Sequence, residues 1–435
     1  MMGDNALKER NVKLDVEPLD ALVDEPVHIT LSGLNAGQVV MLSARTYDMR
    51  EQVWASSATF VADNRGVVDI SAQAPKAGSY RQVDPMGLFW SMRPMGKRAS
   101  TFFTTGALKP VIITLSAVVN GREVAAAHLT RRFATEDVIH IHVREQGLVG
   151  VFCYPARSGP VPALIVLPGS DGHVCENQAA LLASRGFAAL ALAYFGTEGL
   201  PKNLVNIPLE YFGTALQWLQ ARTEVDGERM GAIGLSRGGE LVLLLGATFP
   251  AIKAVVACSP SGLVQAGLDR RRFASPAWTY RGKPLQHVKV RFTPVLSFKL
   301  MWQSFKAQSF PMRDIFLTTL KDYEHLEAAT IPVENMQGPI LLISGGDDKM
   351  WPASIFAERV MQRLREQHHP FVDRHLCYKG AGHFVSFPYG YPYLPPCIKQ
   401  VQGLAVGGTL EATAASVRDS WQEILVFFRR SFGSR

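Results

Sequence analysis

Gly234-Leu235-Ser236-Arg237-Gly238-Gly239 stands directly after an apolar run ending at Ile233 and directly before a helix-forming run, Glu240 to Ala247. A serine between glycines, carried on a strand, a sharp turn and a helix, is the pattern of a nucleophile elbow. The glycines matter because a side chain at 234 or 238 would crowd a turn that must hold Ser236 in a strained conformation with Oγ turned out of the sheet. The helix that follows directs its positive N-terminal end at the same point.

A serine hydroxyl is a weak nucleophile at neutral pH and needs a base, which in turn needs an orienting acid. In this arrangement the partners follow in the order serine, acid, histidine, each just after a later strand. His383, in Gly380-Ala381-Gly382-His383-Phe384, follows the strand-like Arg374 to Tyr378 on a loop of small residues. The acid comes from Gly345-Gly346-Asp347-Asp348, behind the apolar run Ile340 to Ile343. Two adjacent carboxylates compete for that role. Gly345, Asp348 and Pro352 fit the usual spacing of glycine, two residues, aspartate and a proline four residues on, so Asp348 is expected to face the histidine and Asp347 to order the turn or face solvent.

The negative oxygen formed during acyl transfer needs two donors. One is expected from the Arg237 backbone N–H, directly after the nucleophile, and the second from the loop Leu167-Pro168-Gly169-Ser170-Asp171-Gly172, with Ser170 preferred and Gly169 as the substitute. Asp171 and His173 lie in the same loop, where capping and turn formation compete with a substrate contact.

These residues require a particular scaffold. From about residue 134 the chain alternates short apolar runs with helical stretches: Ala163 to Leu167, Phe187 to Leu192, Met230 to Ile233, Ala254 to Ala257 and Ile340 to Ile343 have the composition of strands buried on both faces. That alternation implies a doubly wound, mostly parallel α/β sheet, an α/β-hydrolase fold over 134–435. Between Ser261 and Thr330 it lapses, which implies a cap-like insertion over the sheet's carboxyl edge. Residues 12–133 instead show short alternating runs broken by Gly, Asn and Pro, and Asn120-Gly121 falls between two of them as a hairpin turn. That part is expected to be an antiparallel, immunoglobulin-like β-sandwich domain.

With these elements in view the chain resembles the type I acyl-CoA thioesterases and their relatives, the bile acid-CoA:amino acid N-acyltransferases. The N-terminal likeness rests on Ala21 to Val27, on Trp54 with Ala62-Asp63, and above all on Tyr80 and Asp84-Pro85-Met86-Gly87-Leu88-Phe89-Trp90-Ser91-Met92. The C-terminal likeness rests on Gly186 to Tyr194, Leu200-Pro201-Lys202, Ile207 to Phe212, Ile331 to Glu334, Asp347-Asp348 with Trp351, and Gly382-His383. The resemblance implies a β-sandwich fused to an α/β-hydrolase and a substrate that is a thioester of coenzyme A. It places nucleophile, acid and histidine on Ser236, Asp348 and His383. A cysteine nucleophile resembles the amino-acid-conjugating members, whereas Ser236 resembles the hydrolases. The expected activity is therefore thioester hydrolysis to free acid and coenzyme A through an acyl-enzyme. A carboxylesterase or dienelactone-hydrolase-like esterase, an acyl-CoA:amino acid N-acyltransferase and a catalytically silent binding protein are the alternatives.

Composition narrows the rest. The 435 residues are 47% hydrophobic and 19% charged, values of a folded chain with room for two domains. Five cysteines without a CxxC pair read as reduced thiols, and since the N-terminal residues lack the apolar run of a signal peptide a cytoplasmic location is expected. No apolar stretch approaches the roughly 20 residues of a membrane span. Walker A, strand-linked GxGxxG and HExxH patterns are missing, so no metal and no cofactor is expected beyond the coenzyme A of the substrate, and no nucleic-acid partner. The formal charge is +7, and residues 261–330 hold eleven basic against five acidic residues, hence six of the seven excess charges. Arg270, Arg271 and Arg272 are the candidates for holding the phosphates of coenzyme A, against the plainer alternative of a solvated basic face.

Overall fold

The computed structural model describes residues 12–96, 102–156, 159–269, 275–288, 302, 309, 311–320, 323–387, 389–396, 400–401 and 403–433. The chain divides into two compact units, one of residues 1–132 with Pro392–Pro395 and one of Phe133–Tyr391 with 396–435.

In the first unit, β1 (Lys13–Glu17), β3 (His28–Ser32) and β6 (Val68–Asp69) form a three-stranded antiparallel sheet. A second sheet runs in the order β2 (Asp20–Leu22), β10 (Arg122–Arg132), β9 (Val111–Val119), β4 (Val39–Tyr47), β5 (Val53–Val61) and β7 (Ala77–Gly78), with β8 (Arg93–Pro94) also on β5. Only the β2·β10 pairing is parallel among its described pairs. Alternation makes the core: Val40, Leu42 and Ala44 on β4 and Trp54, Ala58 and Phe60 on β5 are buried while their neighbours are not, as a sheet covered on one face requires. Asn120 and Gly121 join β9 to β10 with φ of 50° and 79°, the two positive values that a tight hairpin turn demands. One short helix, α1 (Gly87–Trp90), interrupts the strands. Asp84 nucleates it by accepting from the Met86 N–H and the Trp90 Nε1–H, both at 2.9 Å, a local bond pattern that strand periodicity does not reveal.

The second unit is built on an eight-stranded sheet in the order β11 (Val138–Val143), β12 (Val149–Pro155), β14 (Ala188–Ala193), β13 (Val161–Leu167), β16 (Val225–Leu235), β17 (Ile252–Cys258), β20 (Ile340–Gly345) and β21 (Arg374–Tyr378). The β11·β12 and β12·β14 pairs are antiparallel and the remainder parallel. Strands β13, β14 and β20 are buried at every position. Successive residues of a strand face opposite ways, so both faces of the sheet are covered there. The helices that pack on the sheet are α2 (Glu176–Ser184), α3 (Glu210–Gln220), α4 (Arg237–Thr248), α7 (Ala353–Glu366) and α8 (Leu410–Ser431). This is an α/β-hydrolase fold, which follows a mostly antiparallel β domain in the chain.

Between β17 and β20 lies the stretch without alternation. Its described parts include β18 (Trp278–Tyr280) and β19 (Lys283–Pro284), which join β15 (Ile207–Pro208) in a small sheet, and the helices α5 (Arg313–Thr319) and α6 (Tyr323–Ala329). Leu263, Val288, Leu326 and Ala329 of this stretch pack with Trp351 and Phe356 in a separate apolar cluster.

Candidate active site

Ser236 is the one residue between β16 and α4, with φ 61° and ψ −118°. A non-glycine residue in that conformation is strained, and the strain persists because surrounding contacts fix it. Its N–H donates to the Cys258 carbonyl at 2.8 Å, and its carbonyl accepts the Glu240 N–H at 3.0 Å. The flanking glycines have no room for a side chain. A Cβ on Gly234 would lie 2.5 Å from the Gly238 carbonyl carbon, and one on Gly238 would lie 2.5 Å from the Pro168 oxygen. The elbow thus touches the 168–172 loop backbone to backbone.

His383 and Asp348 meet across two strand ends. Imidazole Nδ1 stands 2.7 Å from Asp348 Oδ2, and both side chains are almost wholly buried. The other carboxylate oxygen accepts the Met350 and Trp351 N–H groups at 2.8 and 3.2 Å. With Nδ1–H donating to the carboxylate, Nε2 keeps its lone pair and is the basic nitrogen. Asp347 turns the other way, to Lys349 Nζ at 2.6 Å and the Gly408 N–H at 3.0 Å. Burial acts to raise its pKa, but these two partners outweigh that and hold the carboxyl below its usual range. The His383 loop is tied to the end of β17: Ser259, just past that strand, donates from Oγ to the His383 carbonyl at 2.6 Å, and its own carbonyl accepts Trp351 Nε1–H at 3.0 Å. No direct hydrogen bond joins Ser236 Oγ to His383 among the described residues, as is common before substrate binds.

Of the expected oxyanion donors, the Arg237 N–H is at the first position of α4. Its side chain is not free for substrate. Nη1 pairs with Glu240 Oε2 at 2.7 Å, Nη2 donates to the Gln265 carbonyl at 3.2 Å, and the guanidinium lies over the Trp278 ring. Glu240 also accepts Trp278 Nε1–H at 2.9 Å and the Gln265 N–H at 3.1 Å. Burial pushes its carboxyl up to about 7, against the pull of Arg237. The Gly169 N–H is already engaged by the Tyr389 hydroxyl at 2.7 Å, whereas Ser170 is exposed. Arg270, Arg271 and Arg272 lie outside the described residues.

Sequence reasoning missed Tyr389, Tyr194, Ser259 and Glu240. The last had a visible signal, a carboxylate three residues after Arg237 on a helix and so on the same face. The tyrosines had none, because their partners are distant in sequence. A second serine–histidine–carboxylate chain exists, Ser344 Oγ to His375 Nε2 at 2.8 Å and His375 Nδ1 to Glu358 Oε1 at 2.7 Å. Ser344 is fully buried within β20 and has no turn to present it, so that chain secures the sheet. Among the described residues no group of three or more His, Cys, Asp or Glu is placed to hold a metal ion, no helix is long and apolar enough to cross a membrane, and the four cysteines Cys153, Cys175, Cys258 and Cys377 are free.

Residues 207–434 match the family described as BAAT / Acyl-CoA thioester hydrolase C terminal, and residues 24–145 match the Acyl-CoA thioester hydrolase/BAAT N-terminal region. Acyl-coenzyme A amino acid N-acyltransferase 1 of Mus musculus is 31% identical over 437 residues, covering 96% of this chain and 97% of its own. The peroxisomal succinyl-coenzyme A thioesterase of Mus musculus is 29% identical over 429 residues, 97% of each. Among solved structures, a puromycin-hydrolyzing peptidase of Mycobacterium tuberculosis superposes with a TM-score of 0.47 at 14% identity, over 90% of this chain and 54% of that one. The chain belongs to the family of acyl-CoA thioester hydrolases and bile acid-CoA:amino acid N-acyltransferases.

Proposed function

We propose that this protein hydrolyses acyl-CoA thioesters through Ser236, His383 and Asp348. The observation that carries this is the serine itself, held at a strained turn between β16 and α4, on the same sheet whose later strands deliver a buried histidine–aspartate pair. His383 Nε2 takes the proton of Ser236 as Oγ attacks the thioester carbonyl. The resulting oxyanion rests on the N–H groups of Arg237 and Ser170. The coenzyme A sulfur leaves and takes that proton from His383 as the thiol, and the imidazole, neutral again, accepts a proton from a water that attacks the acyl-enzyme; passing this proton to Ser236 Oγ frees the carboxylic acid and restores the serine. The reaction so written uses only side chains, backbone donors and water, and no cofactor beyond the coenzyme A of the substrate. A cytoplasmic site of action accords with the free thiols.

Serine rather than cysteine favours water as the acceptor, because an oxygen ester is less electrophilic toward an amine than a thioester is. Transfer to an amino acid is the second reading, supported by the 31% identity to an N-acyltransferase. A panel of acyl-CoA esters assayed by release of free thiol, with Ser236→Ala as control, tests the first. Retained turnover in that variant would refute it, and product that shifts from acid to amide on adding glycine or taurine would favour the second. Arg270 to Arg272 are proposed to hold the coenzyme A phosphates. Reversing their charge is expected to raise KM for an acyl-CoA far more than for an uncharged ester of the same acid.

A further inference from the structure

We propose that Tyr389, with Asp171, is a positioning unit that sets the oxyanion loop against Ser236. This deepens the hydrolase reading and rests on it. Gly169 is wedged between the two residues concerned: a Cβ placed on it would stand 3.3 Å from Tyr389 Oη and 3.6 Å from Ser236 Cβ. The Tyr389 hydroxyl accepts the Gly169 N–H at 2.7 Å and donates its own proton to Asp171 Oδ1. The other Asp171 oxygen holds His173 Nδ1 at 2.6 Å. One phenol thus ties two residues of a single turn, on either side of Ser170.

From its other flank the turn is gripped by Tyr194, whose buried hydroxyl donates to the Pro168 carbonyl at 2.8 Å and lies 3.3 Å from that of Gly169. With the Gly169 carbonyl and N–H both occupied by tyrosines, the peptide planes around it cannot rotate freely. Ser170, between the two points of attachment, is left exposed. Its N–H is the donor that the tyrosine leaves available.

Tyr389 also belongs to the histidine side of the site. It follows His383 by six residues, and its ring packs on Phe384 at 5.5 Å between centroids, which in turn meets the His383 ring at 5.3 Å. The phenol therefore couples the loop that carries the base to the loop that carries the oxyanion donor. Burial and the Asp171 charge keep the phenol protonated by raising its pKa well above the ordinary value. The proton needed for the bond to Asp171 is thereby retained.

The test is a double-mutant cycle on Tyr389→Phe and Asp171→Ala, with Ser236→Ala in parallel. Tyr389→Phe keeps the ring contacts and removes only the hydroxyl, and Asp171 is partly exposed. Both proteins are therefore expected to melt close to the wild type. A displaced donor costs on the order of 100-fold in rate, so each single variant should lose roughly 10- to 100-fold in kcat with KM nearly constant. The double variant should be no slower than the slower single, since the two act as one device. Unchanged kcat in Tyr389→Phe, a rise in KM at constant kcat, or losses that multiply in the double variant would overturn the proposal while Ser236→Ala remains inactive. Activity in Ser236→Ala would instead overturn the reading on which it rests.

Discussion

His383 Nδ1 stands 2.7 Å from Asp348 Oδ2, with both side chains shielded from water. The bond fixes the ring's orientation and leaves Nε2 as the basic nitrogen, and the aspartate is itself held by two backbone N–H groups. Asparagine at 348 is isosteric, but its amide presents a donor to Nδ1 and reverses the tautomer. Asp348→Asn should lose about 10⁴-fold in kcat without a matching loss of stability. Asp347→Asn removes only a part-exposed pair with Lys349, worth at most about 1 kcal/mol, and should leave kcat close to wild type. Steady-state kinetics and thermal melts of the two variants check the contrast.

Gly238 admits no side chain, since its Cβ would press on the Pro168 oxygen at 2.5 Å and the Leu167 oxygen at 2.7 Å. Both are backbone atoms at the end of β13 and cannot yield as a flexible side chain would. Gly238→Ala is expected to push the elbow away from the 168–172 loop and reduce kcat by about 100-fold or more. The rate of labelling of Ser236 by a fluorophosphonate should fall in parallel, because it depends on the same geometry.

Glu240 gives a pH signature. Its folded-state value of about 7 lies above the ordinary 4.5 because of burial. In that interval the folded protein holds a proton that the unfolded chain has released, so this group's contribution to stability declines as pH rises from 4.5 through about 7 and is level above. Glutamine removes the titration but turns its amide N–H groups toward one of the donors that Glu240 accepts from. Glu240→Gln should therefore be less stable than wild type near pH 5, by a margin that narrows as pH approaches 8. Glu240→Ala strips Trp278 and the Gln265 N–H of their acceptor and leaves Arg237 unpaired, at a cost of about 3–5 kcal/mol. Urea unfolding of the three proteins at pH 5, 6.5 and 8 distinguishes these outcomes.

A sulfur nucleophile should change the fate of the acyl group. Ser236→Cys forms a thioester intermediate that remains electrophilic toward amines. With an acyl-CoA and excess glycine or taurine, the ratio of amide to free acid, read by mass spectrometry, is expected to rise above that of the wild type. An unchanged ratio would locate the choice of acceptor elsewhere in the site.

Much of the candidate site was legible in the residues because its signals are local. The glycines around Ser236 and the apolar strand before it specify a turn through short-range sterics. The alternation of buried strands and helices, and the order of serine, carboxylates and histidine along it, follow from periodicity in one dimension. The Gly-x-x-Asp spacing favoured Asp348, but only the folded chain shows why its neighbour is turned aside, to Lys349 and the Gly408 N–H. The side chain of Arg237 likewise finds Glu240 one turn on, yet Trp278 and Gln265 reach the same pair from the stretch between β17 and β20. Tyr389 meets Gly169 across 220 positions of sequence. Such contacts depend on how separate segments pack, with every buried donor and acceptor seeking a partner at close to 3 Å, and no pattern within either segment encodes the meeting.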